Sequence, residues 1–222
     1  MVRINIVVEG QSEETFINQV LAPTLWQHQI FLTPILLGVP GHKGGRPNYA
    51  RVKKDILLRL KQDTGAYCST MLDFYSLGPG FPGNLPLHTT GAQAVLILED
   101  AIKEDISALI PGFSPHIRLI PYIQLHEYEG LLFSDPPAFA NALYQPRLIP
   151  TFQGIRDAFP TPEDINDSPT TAPSKRITAA YPRYSKVLQG KDAASAVGIQ
   201  RMRAECPHFN AWIKQFEALT PL

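Results

Sequence analysis

The sequence predicts an α/β fold in which a mostly parallel sheet of about four strands is flanked by helices, with a helical extension at the C-terminal end. Strand and helix patterns alternate through about the first 135 of the 222 residues, as in βαβ units. After that point proline is frequent, strand patterns vanish and short helical patterns dominate. We therefore expect an α/β core over residues 1–135 and a helical extension packed on it over residues 136–222.

The chain opens with an apolar run over residues 3–8 that ends at a carboxylate, Glu9. The run predicts a buried strand. Ser12 can cap the following helix, and Glu13 then lies in its first turn, near the positive end of the helix dipole. Pro23 predicts a kink or an early end of this helix. Because ligands of open α/β sheets collect at the carboxyl ends of strands, Glu9 is a candidate site residue.

Acidic residues follow two further predicted strands. Asp73 ends one of them, and Glu127 and Glu129 come directly after another. The remaining predicted elements are a strand over 33–38, a helix over 52–60, a strand over 66–72, a helix over 94–106 and a strand over 116–124. The sequence thus places acids after three strands, where they can converge on one edge of the sheet.

Converging carboxylates indicate a divalent metal site. Mg²⁺ and Mn²⁺ are hard ions that prefer carboxylate and water oxygens, and they can clamp a phosphodiester and activate water. Each acid alone could simply cap a helix, but the joint pattern favours Glu9, Asp73, Glu127 and Glu129 as candidate ligands. Because residues two apart on a helix do not face alike, we expect one of Glu127 and Glu129 to bind the metal and favour Glu127.

The charges are balanced, with 20 Lys and Arg against 20 Asp and Glu, so no global basic field indicates nucleic acid binding. Any such contact must be local. The candidates are two cations in a glycine-containing loop, Lys43 and Arg46, and two in the extension, Arg176 and Lys186. The loop lacks the Gly-Lys-Ser/Thr ending of an ATP-binding loop, so ATP hydrolysis by this chain is not expected.

The cysteines and the hydropathy predict a cytoplasmic protein without membrane contact. Cys68 and Cys206 lie far apart with no Cys-x-x-Cys or histidine-rich companion, so we expect both to be packed. Neither a signal peptide nor a run of about 18 apolar residues is found. Trp212 and Phe216 stand four apart, which predicts a packed helix face rather than a base-stacking platform.

Three segments resemble the Toprim fold of topoisomerases, primases and overcoming-lysogenization-defect nucleases. They are Val-Val-Glu-Gly-Gln-Ser-Glu-Glu at 7–14, Leu-Asp-Phe-Tyr at 72–75 and His-Glu-Tyr-Glu-Gly-Leu-Leu-Phe at 126–133. More closely, the chain resembles a bacterial Toprim-like family described as a domain of unknown function. Segments 162–167, 172–177 and 206–212 extend this resemblance over nearly the whole chain. It implies a Toprim or Rossmann-like core, a role in anti-phage defence and an ATPase partner of the AAA or ABC type.

The resemblance also implies roles for individual residues. Glu9 matches the first Toprim glutamate, a metal ligand or general acid/base, and Glu13 matches the acid that follows it in nuclease-type members. Asp73 matches the first Asp of the Asp-x-Asp motif, but Tyr75 stands where the second acid is expected. Apart from the resemblance, a cation near the scissile phosphate would stabilise the developing charge. Lys175 and Arg176 are the candidates, with Lys186 after them, and Lys175 is favoured.

Three functions remain open from the sequence. The first is a metal-dependent phosphodiesterase, a nuclease that acts on DNA or RNA. The alternative is a Toprim-shaped effector or docking subunit of an ATPase complex that has lost robust catalysis, which Tyr75 and the zero net charge favour. The third is phosphate-ester chemistry on a small nucleotide, which the same acids could support.

Overall fold

The computed structural model describes residues 1–39, 42–43, 47–86, 89, 91–110, 118–166 and 171–222, and for residues 39, 42 and 43 it describes the backbone alone. Arg46 and the side chain of Lys43, both predicted to contact nucleic acid, therefore lie outside the described residues.

The described chain has the predicted α/β fold. The core contains β1 (Val2–Val8), α1 (Gln11–Phe16), α2 (Ala22–Leu25), β2 (Ile30–Leu36), β3 (Gly38–Val39), β4 (His42–Lys43), α3 (Tyr49–Gln62), β5 (Tyr67–Asp73), α4 (Gly91–Ser107), β6 (Leu119–Ile120) and β7 (Ile123–Gln124). The rest contains α5 (Pro136–Ala142), α6 (Ile149–Asp157), α7 (Pro173–Ala180), α8 (Leu188–Val197), α9 (Ile199–Glu205) and α10 (Pro207–Glu217). Short 3₁₀ helices cover Trp26–His28, Phe74–Ser76, Tyr128–Ser134, Pro146–Leu148 and Pro162–Asp164.

The main sheet is parallel, as predicted. Its order is β2-β1-β5-β6, and β7 also pairs with β5. Each of these pairings is parallel, and Val8 near the end of β1 pairs with Met71 near the end of β5. Because β1 and β5 are neighbours in the middle of the sheet, the residues that follow them meet at the same carboxyl edge. β3 and β4 form a separate antiparallel pair.

The first helical segment begins earlier than predicted. Its N-cap is Gly10, in an extended conformation, so Ser12 lies inside the helix and the predicted serine cap is wrong. The segment passes from α1 through a π-helical stretch, Ile17–Leu21, into α2. Pro23 lies at the start of α2, where its missing N–H is tolerated. Where a kink or an early end of the helix was predicted, the structure has a π-helical stretch directly before α2.

The two strands that contain proline differ from their predicted ranges. β2 begins at Ile30 and includes Pro34, which is tolerated because β2 is an edge strand. The strand predicted over 116–124 is split into β6 and β7 around Pro121 and Tyr122, and its first two residues lie outside the described part. The side chain of Thr70 bridges the gap, since its hydroxyl oxygen lies 2.8 Å from both the N and the O of Tyr122.

A hydrophobic cluster covers each face of the sheet. On one face the cluster joins core residues of β1, α1 and β5 to buried residues of α5 through α10. On the other face, α3 and α4 supply the cluster. Trp212 and Phe216 of α10 are buried, which confirms the predicted packed helix face. Cys68 and Cys206 are free and buried, as predicted. Among the described residues, no helix combines the length and the apolar character needed to cross a bilayer.

Candidate functional site

Glu9 and Asp73 lie at the carboxyl ends of the two central strands. Glu9 follows β1 and Asp73 is the last residue of β5. Ser76, in the 3₁₀ turn after β5, joins them, because its hydroxyl donates to Glu9 Oε2 and also lies 2.8 Å from the carbonyl oxygen of Asp73. The parallel pairing of β1 with β5 therefore brings two acids that are 64 positions apart in the sequence to one place.

Glu13 joins this edge from the first turn of α1. Its side chain is buried, with 7% of its surface exposed. A Cβ atom at Gly10 would lie 3.1 Å from Glu13 Oε2, so the glycine leaves room for this carboxylate to fold back over the turn. Burial raises the pKa of Glu13, and repulsion from the Glu9 carboxylate raises it further.

The segment after β7 supplies two more carboxylates. Tyr128 begins the 3₁₀ helix there, and its backbone N–H donates to Asp73 Oδ1 at 3.0 Å. Glu127 precedes that helix with extended backbone angles (φ −142°, ψ 151°), whereas Glu129 lies within it. The prediction that Glu127 and Glu129 face in different directions assumed that both lie in one regular helix. Because the backbone of Glu127 is extended, that argument does not apply to this pair.

Lys186 links these two carboxylates. Its Nζ lies 2.8 Å from Glu129 Oε1 and 4.0 Å from Glu127 Oε1. Glu129 is 1% exposed, and its Oε1 has no hydrogen bond of good geometry despite the nearby ammonium. Glu127 is held instead by Ser174, whose N–H donates to Oε2 at 2.8 Å and whose hydroxyl donates to Oε1 at 3.0 Å.

Burial, together with repulsion between carboxylates, raises the pKa values of Glu9, Glu13, Asp73 and Glu129. Burial raises the pKa of Glu9, against the hydrogen bond from Ser76, and raises that of Glu13, with repulsion from Glu9 adding to it. For Asp73, burial and repulsion from Glu13 and Glu9 raise the pKa well above its usual value. Burial raises the pKa of Glu129 to about 7, although Lys186 opposes the shift. The negative charge of the cluster thus exceeds what one lysine neutralises.

The donor set fits Mg²⁺ or Mn²⁺ by its chemistry. It consists of carboxylate oxygens with an excess of negative charge, which hard divalent cations prefer and which a cation would stabilise. The set is not arranged as a complete coordination shell, because in the described part of the chain no three His, Cys, Asp or Glu side chains converge as metal ligands. The predicted ligands are thus near one another, and metal binding stays a prediction.

Two other predicted cations, Lys175 and Arg176, lie in α7. Lys175 is exposed, although the preceding residue, Ser174, binds Glu127. Arg176 donates through Nε to the carbonyl oxygen of Thr171 at 2.7 Å, and its guanidinium lies 5.1 Å from the ring centre of Phe159. Catalytic or nucleic acid contacts by these side chains stay predictions.

The sequence interpretation missed the two serines that fix the acids. Ser76 and Ser174 come from segments 98 positions apart, and nothing in either segment marks a carboxylate partner. In the structure Lys186 pairs with Glu129, and its predicted contact with nucleic acid stays a prediction.

Comparison of the chain with family models gives a match over residues 8–217 to the family described as Domain of unknown function (DUF4276). The chain belongs to the DUF4276 family. The match includes all five acids of the cluster and Lys186, and it extends through α10, so the family unit contains both the sheet and the helices that follow it.

Among solved structures, the chain is similar to the C-terminal region of the OLD protein of Xanthomonas campestris pv. campestris. The sequences are 13% identical, the alignment covers 98% of this chain and 95% of that chain, and the TM-score is 0.42. A TM-score this low does not support an inference about function. Among curated proteins, none matches this DUF4276 chain.

Proposed function

We propose that the chain is a metal-dependent phosphodiesterase that acts on DNA or RNA, with the acidic cluster as its active site. The observation that carries the proposal is the placement of Glu9 and Asp73 at the carboxyl ends of neighbouring strands, joined by Ser76. Tyr128 binds Asp73, and the adjacent Glu127 and Glu129 share Lys186. Structural ion pairs balance their charges, whereas this cluster concentrates carboxylates in a buried place where they repel one another. The Toprim-like motifs around these acids are consistent with the same chemistry.

In this proposal Glu9, Asp73 and one of Glu127 and Glu129 hold Mg²⁺ or Mn²⁺. When bound, the ion would polarise the phosphodiester and lower the pKa of water. Ser76 orients Glu9, and the backbone N–H of Tyr128 orients Asp73. Glu13, whose pKa is raised by burial, is the proposed group for proton transfer. Lys175 remains the proposed cation for the phosphate.

A second candidate is a docking or effector subunit of an ATPase complex in anti-phage defence. Two observations favour it: Tyr75 occupies the position of the second Asp-x-Asp acid, and the ammonium of Lys186 already neutralises part of the cluster. Activity that is absent in the isolated chain and appears only with an ATPase would unite this candidate with the first.

Removal of single charges from the cluster tests the nuclease proposal. With Mn²⁺ or Mg²⁺ and supercoiled plasmid, we expect the wild-type chain to nick DNA and both Glu9→Gln and Asp73→Asn to be about 100-fold slower. Asp100→Asn, which changes an exposed acid on α4, is the matched control and should keep the wild-type rate. If all four proteins nick equally, the nuclease proposal is wrong.

Metal titration gives an independent measurement. We expect the wild-type chain to bind Mn²⁺ more tightly than the Glu9→Gln/Asp73→Asn double variant, as followed by electron paramagnetic resonance of free Mn²⁺. Equally poor binding by both proteins would contradict the metal site and favour the docking role.

A further inference from the structure

A polar cavity of about 590 Å³ lies among the helices that follow the sheet. Its walls come from the start of α5, from α6 with the turn after it, and from α9. Among the described residues, those that line the cavity include neither Lys186 nor any of the five acids of the cluster. The cavity is therefore separate from the proposed active site.

Two arginines in the wall of the cavity share one glutamate. Arg156 Nη2 donates to Glu205 Oε2 at 2.8 Å, and Arg201 Nη1 lies 3.2 Å from Glu205 Oε1. Each guanidinium thus contacts a different oxygen of the same carboxylate. Because two positive charges face one negative charge, this part of the wall can still attract an anion.

Backbone carbonyls fix the direction of both guanidinium groups. Arg156 Nη1 donates to the carbonyl oxygen of Phe159 at 2.9 Å, and Arg201 Nε donates to that of Ser134 at 3.1 Å. A guanidinium carries more N–H groups than these contacts and the glutamate use, so each arginine keeps donors for a ligand. An oriented guanidinium matches the oxygens of a phosphate group in a bidentate geometry.

Two further acids lie in the wall of the cavity and limit what it can hold. Asp135 Oδ1 accepts the backbone N–H of Ala138 at 2.9 Å, at the start of α5. Asp157 Oδ1 accepts from the side-chain amide of Gln153 at 2.7 Å. Carboxylates accept hydrogen bonds and repel anions, so a ligand beside them should offer hydroxyl or amino groups. A triphosphate or an oligonucleotide, which is anionic over much of its length, fits this wall poorly.

The rest of the wall and the size of the cavity favour a ligand with a ring. Pro136, Pro137 and Phe159 also line the cavity and supply apolar surface. Cavities that bind small molecules have volumes of about 300–1,000 Å³, so this cavity has room for much more than a phosphate ion.

We infer that the cavity binds a nucleoside monophosphate, with its phosphate at Arg156 and Arg201. This class of molecule combines a single phosphate for the arginines, hydroxyl and amino groups for the aspartates, and a planar ring for the apolar part of the wall. The inference goes beyond the proposed function, because it assigns a second site that needs neither the acidic cluster nor a metal.

Isothermal titration calorimetry without divalent metal tests this binding apart from nuclease activity. The probes are AMP, GMP, CMP and UMP, the four corresponding nucleosides, and ribose 5-phosphate. For the wild-type chain we expect at least one nucleotide to bind about ten-fold more tightly than its own nucleoside, because only the nucleotide has a phosphate for the arginines. The same nucleotide should also bind more tightly than ribose 5-phosphate, which lacks the base.

Variants of Arg201, which is half exposed, assign the preference for the nucleotide to the cavity. Arg201→Gln should lower the affinity for the nucleotide to that for the nucleoside and leave the affinity for the nucleoside unchanged. Arg201→Lys should keep part of the preference, because lysine retains the charge without the planar fork. Arg147→Gln is the matched control, since Arg147 is exposed and does not line the cavity, and it should bind as the wild-type chain does.

Three results would overturn the inference. They are no measurable binding of any nucleotide, binding of the nucleosides or of ribose 5-phosphate as tight as that of the nucleotides, and an unchanged preference in both Arg201 variants. Because the acidic cluster lies outside the cavity, these results would leave the nuclease proposal standing. Nucleotide binding that depends on Arg201, together with a failure to nick plasmid, would support the cavity site and contradict the nuclease alone.

Discussion

Replacement of Trp212 by alanine is expected to lower the free energy of unfolding by about 4 kcal/mol. Trp212 is 1% exposed and stacks on Tyr122 with ring centres 4.2 Å apart and an interplanar angle of 9°. Its Nε1 donates to Ser69 Oγ in β5 at 2.9 Å. The substitution removes a large apolar side chain, a stacking contact and a buried hydrogen bond between α10 and the sheet. Chemical denaturation followed by circular dichroism measures the change.

The matched control is Trp26→Ala, because Trp26 is 54% exposed and should contribute less than about 1 kcal/mol. Trp212→Phe should give an intermediate loss, since it keeps most of the packing and removes the donor to Ser69. If Trp212→Ala is no more destabilising than the control, residues 136–222 contribute little to the stability of the core. The predicted division at residue 135 would then separate two independently stable parts, whereas the expected result means that the sheet depends on the extension.

The elements of the core could be predicted where local patterns are strong. The strand predicted over 66–72 is β5, Tyr67–Asp73, and the helix predicted over 94–106 is α4, Gly91–Ser107. α4 has apolar residues at helical spacing, and β5 is a short, mostly apolar run that ends before a turn-rich segment. The start of the first helix could not be predicted in the same way. Gly10 is its N-cap without a side-chain hydrogen bond, and a sequence pattern does not reveal such a backbone conformation.

The position of the acids at one edge of the sheet could be predicted, but their arrangement there could not. Acids that follow parallel strands must share the carboxyl edge, which is why Glu9 and Asp73 were identified from the sequence. The side-chain direction of Glu129 depends on the residue at which a short 3₁₀ helix starts, and element boundaries are the weakest part of sequence interpretation. Its pairing with Lys186 depends on how the extension packs, which is a tertiary property.

In metal-free buffer, Glu129→Gln is expected to stabilise the protein by about 2 kcal/mol at pH 8.5 and to have little effect at pH 4.5. Burial raises the pKa of Glu129 to about 7 from a usual value of 4.5. Below pH 4.5 the carboxyl group is protonated in both states and does not affect folding. As the pH rises from 4.5 through 7, the unfolded chain loses this proton first, so stability falls. Glutamine cannot ionise, and the difference between the proteins should therefore grow over this range.

Glu163→Gln should show the opposite sign and is the matched control. Burial also raises the pKa of Glu163, but its two carboxylate oxygens accept the backbone N–H groups of His208 and Phe209, each at 2.9 Å, at the start of α10. An amide offers one acceptor oxygen, so one of these donors would lose its partner. Removal of the charge also relieves the cost of burial, but we expect the lost hydrogen bond to outweigh that relief, so that Glu163→Gln destabilises the protein by about 1 kcal/mol at pH 8.5.

The contrast separates a structural carboxylate from a functional one. A buried acid whose replacement stabilises the fold does not serve folding, and active sites are where such destabilising groups are retained. If Glu129→Gln stabilises the chain at pH 8.5 and also weakens Mn²⁺ binding, Glu129 serves the proposed metal site at the expense of stability. If it destabilises the chain as Glu163→Gln does, its ion pair with Lys186 is structural, and the metal would have to be held by Glu127 together with Glu9 and Asp73.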